Sequence, residues 1–549
     1  MGNLLLQISR SIRSEKITET QPVLDQHNLL FKSDLVSLYF DMENPVIPVK
    51  ILTPEYTCFL LGNFTFYKSY IKKVEVKPQI RTMEVSGSLD IQELFQNING
   101  VYCCIQIHKF KNIVNVITDC LGFYPLYIFK DEHQLLISNE IKQIKILSAK
   151  PFKWNEEAIH SYLYNGHLIS NQTWFHEVTR LRPASEYVIN CNTFIVNSTY
   201  YWTWSQLRHL SITKSELIEL YAEKFKQGID SLEIDETLEL GLSLSGGLDS
   251  RWIAYEAAKK YKLRAFSFGH CLNRETQLAQ QVAKSLKIEH EALILSTSDW
   301  LQQRLQAFWK VDGLLHLGHL HEVPVHTHLA KNYPVYFHGF FGGGIYGNMF
   351  ECNQRINPSI ANRHFHFGIS DNQVSDPFYS VHSIDPYIID QKIRYQSAYS
   401  IYLLSSYCQL LLPFYNMDWM ELNYGVNEKL QINGKFYLEV LNEQLSAELL
   451  QIPWQRTGIT PRCIGLNTFA QSIHLPAIKE KCFQIIGKSR HFVNYNLVDP
   501  ELNSWLTHFD GDFRELGLNY KPTTREQKFR VLSLVLIMKM MERNTWDVI

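Results

Sequence analysis

The stretch from Leu238 to Leu263 constrains the chain more than any other. It opens on an apolar run, LELGLSL, passes through Ser245-Gly246-Gly247-Leu248-Asp249-Ser250, and continues as SRWIAYEAAKKYKL, whose apolar residues recur at helical spacing. A buried strand that enters a glycine-rich turn and then a helix is one arm of a βαβ unit. The same alternation extends to either side: SELIELYAEKFKQGIDSLE before it reads as a helix, RAFSFG after it as a strand, and TQLAQQVAKSLK as the next helix. Strands alternating with helices require a parallel sheet covered on both faces, so this part of the chain is α/β.

The turn has the chemistry of an anion cradle. Gly246 and Gly247 let backbone amides approach an anion with no Cβ in the way, and the helix behind them offers unpaired N–H groups and its positive dipole end. Ser245 and Ser250 can donate hydroxyl hydrogens to phosphate oxygens, and Asp249 is an oxygen ligand suited to Mg²⁺. No Gly-Lys-Ser/Thr follows, so the loop is not of the Walker A kind.

The first 200 residues read differently. Short β-branched and aromatic runs such as VYCCIQI, NIVNVIT and PLYIF are separated by turn residues, and the N-terminal LLLQIS reads as a first strand rather than a signal peptide. From about Asp385 onward the pattern is mostly helical, with breaks at Pro413, Pro453, Pro461 and Pro476. The run IYLLSSYCQLLLPF, Ile401 to Phe414, falls short of the roughly 18 residues of a membrane span and reads as a buried helix. With 53 basic and 55 acidic residues the net charge is -2, which predicts attraction neither to nucleic acid nor to a membrane surface. The 10 cysteines show no CxxC pair and fit free thiols in a reducing cytoplasm; Cys103 and Cys104 read as core.

The loop resembles the SGGxDS motif of ATP pyrophosphatases, and the rest of the chain resembles the asparagine synthetase family. The likeness is carried by Asn99-Gly100-Val101-Tyr102, Asp119-Cys120-Leu121-Gly122, Tyr124-Pro125-Leu126-Tyr127 and Ser138-Asn139-Glu140 in the first part. It continues through Arg180-Leu181-Arg182-Pro183 and Tyr201-Trp202 at a junction, and Phe266-Ser267-Phe268-Gly269 with Glu275 beyond. The resemblance implies an Ntn-hydrolase-like αββα sandwich over residues 1–200 and, over 201–549, a PP-loop parallel-sheet domain of the adenine nucleotide α-hydrolase type with a helical extension. It implies ATP and Mg²⁺ as cofactors, with Ser243, Ser245, Gly246, Gly247, Leu248, Asp249, Ser250, Phe268 and Gly339 around the nucleotide and Asp249 on the metal.

The sequence also departs from the family. A glutaminase half needs cysteine directly after the initiator methionine, and here Gly2 stands there, which predicts no glutamine hydrolysis. The family's second phosphate-side loop carries an acid, where this chain has His338-Gly339-Phe340-Phe341-Gly342-Gly343-Gly344. Gly343 or Gly344 replaces the acid, and Phe340 replaces a candidate base. Asp312 or Glu322 could supply a substitute carboxylate, or be solvated loop residues. Lys435 lies near the spacing of the family's catalytic lysine, with a surface lysine as the alternative. His316, His319, His321, His326 and His328 are read as a polar lining of the substrate cavity in preference to a zinc site.

The resemblance and these departures together imply an AMP-forming ligase that adenylates a small-molecule or peptide carboxylate for attack by an amine, near β-lactam synthetases and lasso-peptide cyclases. The alternative is a pseudoenzyme of the same family that binds ATP or scaffolds an assembly; on either reading a homodimer or a biosynthetic partner protein is a candidate partner.

Overall fold

The computed structural model describes residues 3–9, 28–41, 47–66, 74–77, 80–84, 98–208, 210–232, 234–296, 298–343, 376–379, 384–426, 430, 432–475, 478 and 493–548. Gly2, Gly344 and Pro476 lie outside the described residues.

The part rich in β-branched residues forms two sheets. The first has six antiparallel strands in the order 179–180, 127–130, 134–138, 4–9, 36–40, 28–32. The second has eight, in the order 196–200, 185–190, 113–118, 98–108, 56–66, 49–52, 80–84, 74–77, antiparallel except where 49–52 meets 80–84. Phe31 and Phe59, one from each sheet, meet with ring centroids 6.3 Å apart. Helices Ile141–Ser148 and Glu156–Asn165 follow the last long strand of the first sheet. Cys103 and Cys104 are fully buried in strand Ile98–His108, as core residues.

The third sheet is parallel throughout. Its order is Glu289–Ile294, Lys262–Gly269, Glu239–Ser243, Val335–Phe337, Gln409–Leu411. The chain therefore winds outward one way from Glu239–Ser243 and then returns to start the other way at Val335–Phe337. Between those two strands lies the topological switch point, where an open α/β sheet leaves a crevice at its carboxyl edge. The strands come within reach because Gly241 has no side chain: a Cβ there would sit 2.6 Å from that of Tyr336.

One element differs from the sequence reading. The run Ile401–Phe414 is not a single buried helix. Helix Ser397–Leu404 ends and Gln409–Leu411 becomes the fifth parallel strand. An apolar run that is buried on all sides carries no periodicity by which helix and strand can be told apart.

The sheet's helices are held by an aromatic core. Trp252 on helix Asp249–Ala257 stacks on Phe225 of helix Lys214–Asp230 with centroids 3.9 Å apart, and Phe414 and Trp419 close around them. Helix Lys214–Asp230 begins with a reciprocal capping box between Thr213 and Glu216. The two halves are joined by buried arginines. Arg180 donates to the Gly122 carbonyl at 3.1 Å and the Arg394 carbonyl at 3.2 Å, while Arg394 pairs with Asp390 at 2.7 Å and donates to Leu181 O. In the Arg180–Pro183 segment, Arg180 and Leu181 are thus both hydrogen-bonded to Arg394.

Candidate nucleotide site

The Ser245–Ser250 turn leaves the carboxyl end of the first-wound strand, at the switch point. Its shape comes from its own serines: Ser250 Oγ accepts from the Ser245 amide at 3.1 Å, the two hydroxyls lie 3.0 Å apart, and Gly247 N–H donates to Ser245 Oγ at 3.1 Å. Gly246 packs where no side chain fits, since a Cβ would meet Gln455 at 2.9 Å and Leu278 at 3.1 Å. Ser243 ends the strand, and Phe268 lies near the carboxyl end of the neighbouring one. Helix Asp249–Ala257 starts at the end of the turn, so its free amides face the same crevice.

The second loop comes off Val335–Phe337, directly across the switch point. Gly339 lies beside it, with a Cβ position 3.5 Å from the Ser250 amide, and a Cβ on Gly342 would sit 2.7 Å from Asp249 Cγ. The glycines therefore let this loop press on Asp249. Gly343 donates its backbone N–H to the Asp249 carboxylate. Tyr437 O–H donates to Asp249 Oδ1 at 2.8 Å. Burial pushes the Asp249 carboxyl up to about 6, against the opposing pull of Tyr437, Gly343 and the nearby Arg456 guanidinium. A carboxylate has about four lone-pair sites, so two hydrogen bonds leave room for a cation held jointly with phosphate oxygens. The site fits one Mg²⁺ on those terms.

Three further groups lie beside the turn or the second loop: Arg456, His338 and Glu275. Arg456 is the cation whose field reaches Asp249, and burial lowers its pKa. It is placed by Arg251, fully buried on the turn's own helix, whose guanidinium donates to Leu449 O at 3.0 Å, Ile452 O at 2.7 Å and Pro453 O at 3.0 Å. The neighbouring Gln455 amide donates to Gly246 O at 3.1 Å. His338, pushed down to about 4 by burial, is neutral; it accepts from Phe340 N–H at Nδ1, which puts its proton on Nε2. Glu275, in the first turn of helix Arg274–Ser285, is pushed up to about 7 by burial and accepts from Gln455 Nε2 at 3.4 Å. No local sequence pattern marks Arg456, whose place comes from tertiary contact.

The remaining sequence candidates are dispersed. Lys435 is exposed at the start of helix Lys435–Gln444, the helix that carries Tyr437 to Asp249. Asp312 is neither solvated nor a substitute metal ligand. It is buried under the N-terminal half, where it accepts from the Ile141 amide at 2.6 Å and from Lys142 Nζ at 3.2 Å; burial, opposed by Lys142, pushes it up to about 6. Glu322, likewise pushed up to about 7 by burial, lies close enough to Tyr336 to raise that phenol's pKa. The five histidines do not line one cavity. His316 and His319 face Glu526, His321 bonds Tyr495 at 2.8 Å, His326 packs on Tyr407, and His328 pairs with Glu291 at 3.3 Å.

The second loop is also tied to the N-terminal half. Phe123 packs its ring 5.8 Å from Phe340 and 5.4 Å from Phe341, and Tyr415 beside them donates to the buried Asp119 at 2.7 Å. Phe340 is thus a packing residue between the halves.

Residues 231–329 match the asparagine synthase family and residues 86–202 the glutamine amidotransferase domain family. Asparagine synthetase (glutamine-hydrolyzing) 2 of Bacillus subtilis is 27% identical over 221 residues, 38% of this chain and 30% of that protein. A putative asparagine synthetase (glutamine-hydrolyzing) 2 of Methanocaldococcus jannaschii is 24% identical over 32% of this chain and 34% of that protein. The chain thus matches about a third of the length of these relatives. Among solved structures, a glutamine phosphoribosylpyrophosphate amidotransferase from B. subtilis is 9% identical over 55% of this chain and 92% of that one, with a TM-score of 0.24. An NH3-dependent NAD synthetase from Campylobacter jejuni is 13% identical over 33% and 72%, with a TM-score of 0.17. Likenesses this faint add nothing to what the strand order shows. Among the described residues no helix is long and apolar enough to cross a membrane.

Proposed function

We propose that this chain, which belongs to the asparagine synthetase family, is an ATP-dependent, AMP-forming amide ligase that activates a substrate carboxylate for attack by an amine without hydrolysing glutamine. The observation that carries the reading is that two glycine loops meet across the switch point with Asp249 between them. The amides of 246–250 and the N-terminus of helix Asp249–Ala257 would bind the β- and γ-phosphates. Asp249 would hold Mg²⁺, which neutralises phosphate charge when bound.

In the first step a carboxylate oxygen attacks the α-phosphorus, the α–β bridging bond breaks, and pyrophosphate leaves with the electron pair. Arg456, fixed by Arg251 through the 449–456 segment, would stabilise that leaving charge; a preorganised cation costs little to reorient during the reaction. In the second step an amine nitrogen attacks the acyl carbon, AMP leaves, and the nitrogen loses a proton. On this reading the nitrogen would come from free ammonia or from an amine on a substrate. A substrate carrying both carboxylate and amine would close to a lactam or macrolactam.

A second reading is supported by the second loop's close approach. Gly343 and Tyr437 already satisfy part of the Asp249 carboxylate, which would suit a protein that binds nucleotide without turnover. Pyrophosphate exchange separates the two. Incubated with ATP, Mg²⁺, radiolabelled pyrophosphate and a panel of amino-acid and peptide carboxylates, a ligase returns label to ATP only with a carboxylate it adenylates. Calorimetric binding of ATP with no exchange across the panel would instead favour the non-catalytic reading.

A further inference from the structure

His316 is almost fully buried, at 1% exposure, yet neither ring nitrogen has a hydrogen-bond partner among the described residues. A buried imidazole with two idle nitrogens is costly, and native structures usually satisfy such groups or use them as ligands. The ring is not isolated. His319 follows one 3-10 turn later, through Leu317–His319, and residues three apart in that geometry lie on one side. The two imidazoles sit 3.9 Å apart between centroids, tilted by 34°. Glu526, in the first turn of helix Arg525–Arg543, completes a trio whose ligand atoms all lie within 4.8 Å of one another.

We propose that His316, His319 and Glu526 form a binding site for one divalent transition-metal ion, zinc by its ligand chemistry, that staples the C-terminal helix to the 316–319 turn. Two imidazoles and a carboxylate are a common zinc set, with the fourth position left to water. A tetrahedral ion separates its ligand atoms by about 3.3 Å, so the side chains need to close by about an ångström. His319 is partly exposed and Glu526 exposed, which gives an ion its way in. The backbone around the site is already anchored: Leu317 N–H donates to Ser533 Oγ of the same C-terminal helix at 3.1 Å. Burial holds His316 well below its usual range and His319 at about 4, so both are neutral and have a lone pair to offer.

The surrounding charges set the site's limits. Arg530 donates to Glu526 Oε1, leaving Oε2 without a hydrogen-bond partner among the described residues, and Lys392 lies in the same field. Two cations nearby disfavour a weakly held ion such as Mg²⁺ and leave binding to a metal that gains strongly from imidazole nitrogen. The site is separate from the Asp249 centre and does not rest on ATP chemistry.

The full chain, stripped with chelator and titrated with Zn²⁺ by calorimetry, is expected to bind one equivalent, and Zn²⁺ in excess is expected to raise Tm by several degrees. Co²⁺ in its place should give the visible bands of a four- or five-coordinate ion. His319→Ala and Glu526→Gln, both at sites open to solvent and checked for native circular dichroism, should weaken Zn²⁺ affinity by about 100-fold or more and remove the Co²⁺ bands. His328→Ala, on a histidine elsewhere, should change neither. Absence of stoichiometric binding to the wild-type chain would overturn the proposal, as would tight binding that survives in both His319→Ala and Glu526→Gln.

Discussion

Replacing Asp249 by asparagine should make the protein more stable and inactive at once. Burial holds this carboxyl near 6 rather than at the 3.8 of a free aspartate. An acid whose pKa is raised on folding costs nothing below its unfolded pKa, costs stability progressively as pH rises from that value to the folded one, and bears the full cost above it. Asp249 is therefore neutral in cost near pH 4 and destabilising above about pH 6. At about 1.4 kcal/mol per pH unit the full cost is about 3 kcal/mol, and solvent at its partly exposed edge reduces that to about 1–2 kcal/mol. The amide keeps an oxygen to accept from Tyr437 and carries no charge to desolvate. Thermal melts of Asp249→Asn and wild type, followed by circular dichroism at pH 4.5 and pH 8, should show a gain of a few degrees at pH 8 that shrinks towards zero at pH 4.5. Pyrophosphate exchange should be lost at both. A variant that is destabilised at pH 8, or stabilised equally at the two pH values, would refute the premise that this carboxylate is held desolvated between the loops.

Removing the phenol in Tyr437→Phe takes away a hydrogen bond to the charged form, worth about 1.5–3 kcal/mol, so the acid limb of the activity profile should move up by about one to two pH units. An unmoved limb would mean that Asp249 is not the group that titrates. Arg251→Met strands three carbonyls of the 449–453 segment and should cost about 3 kcal/mol or more in urea melts, while also lowering exchange because Arg456 loses its support. Phe123→Ala, in the N-terminal half, should cost about 3–5 kcal/mol and raise the Kd for ATP measured by calorimetry, since the loop that touches Asp249 packs on that ring. Unchanged ATP affinity in a folded variant would show that the halves do not support each other at the site.

Local pattern reveals the parts of this molecule that local physics determines. The strand, turn and helix around Ser245–Ser250 are legible because glycines, serines and an apolar alternation act within a few residues. The parallel sheet follows from the alternation of elements, but its order does not, because nothing in Val335–Phe337 states that it pairs with Glu239–Ser243. The run Ile401–Phe414 misleads for a related reason: a segment buried on all sides has no polar face to mark its period. Asp312 reads as a loop acid because its partners, Ile141 and Lys142, are far away in the sequence. Arg456 is invisible to pattern altogether. Its position depends on three carbonyl contacts made by Arg251, and such contacts leave no trace in spacing or composition.

In the proposed reaction the turn at Ser245–Ser250 directs attack to the α-phosphorus of ATP. Phosphorus NMR of ATP consumed by the protein in the presence of an activated carboxylate and an amine tests this directly. AMP and pyrophosphate are expected in equal amounts, with none formed by Asp249→Asn. Accumulation of ADP and inorganic phosphate as the primary products would contradict it.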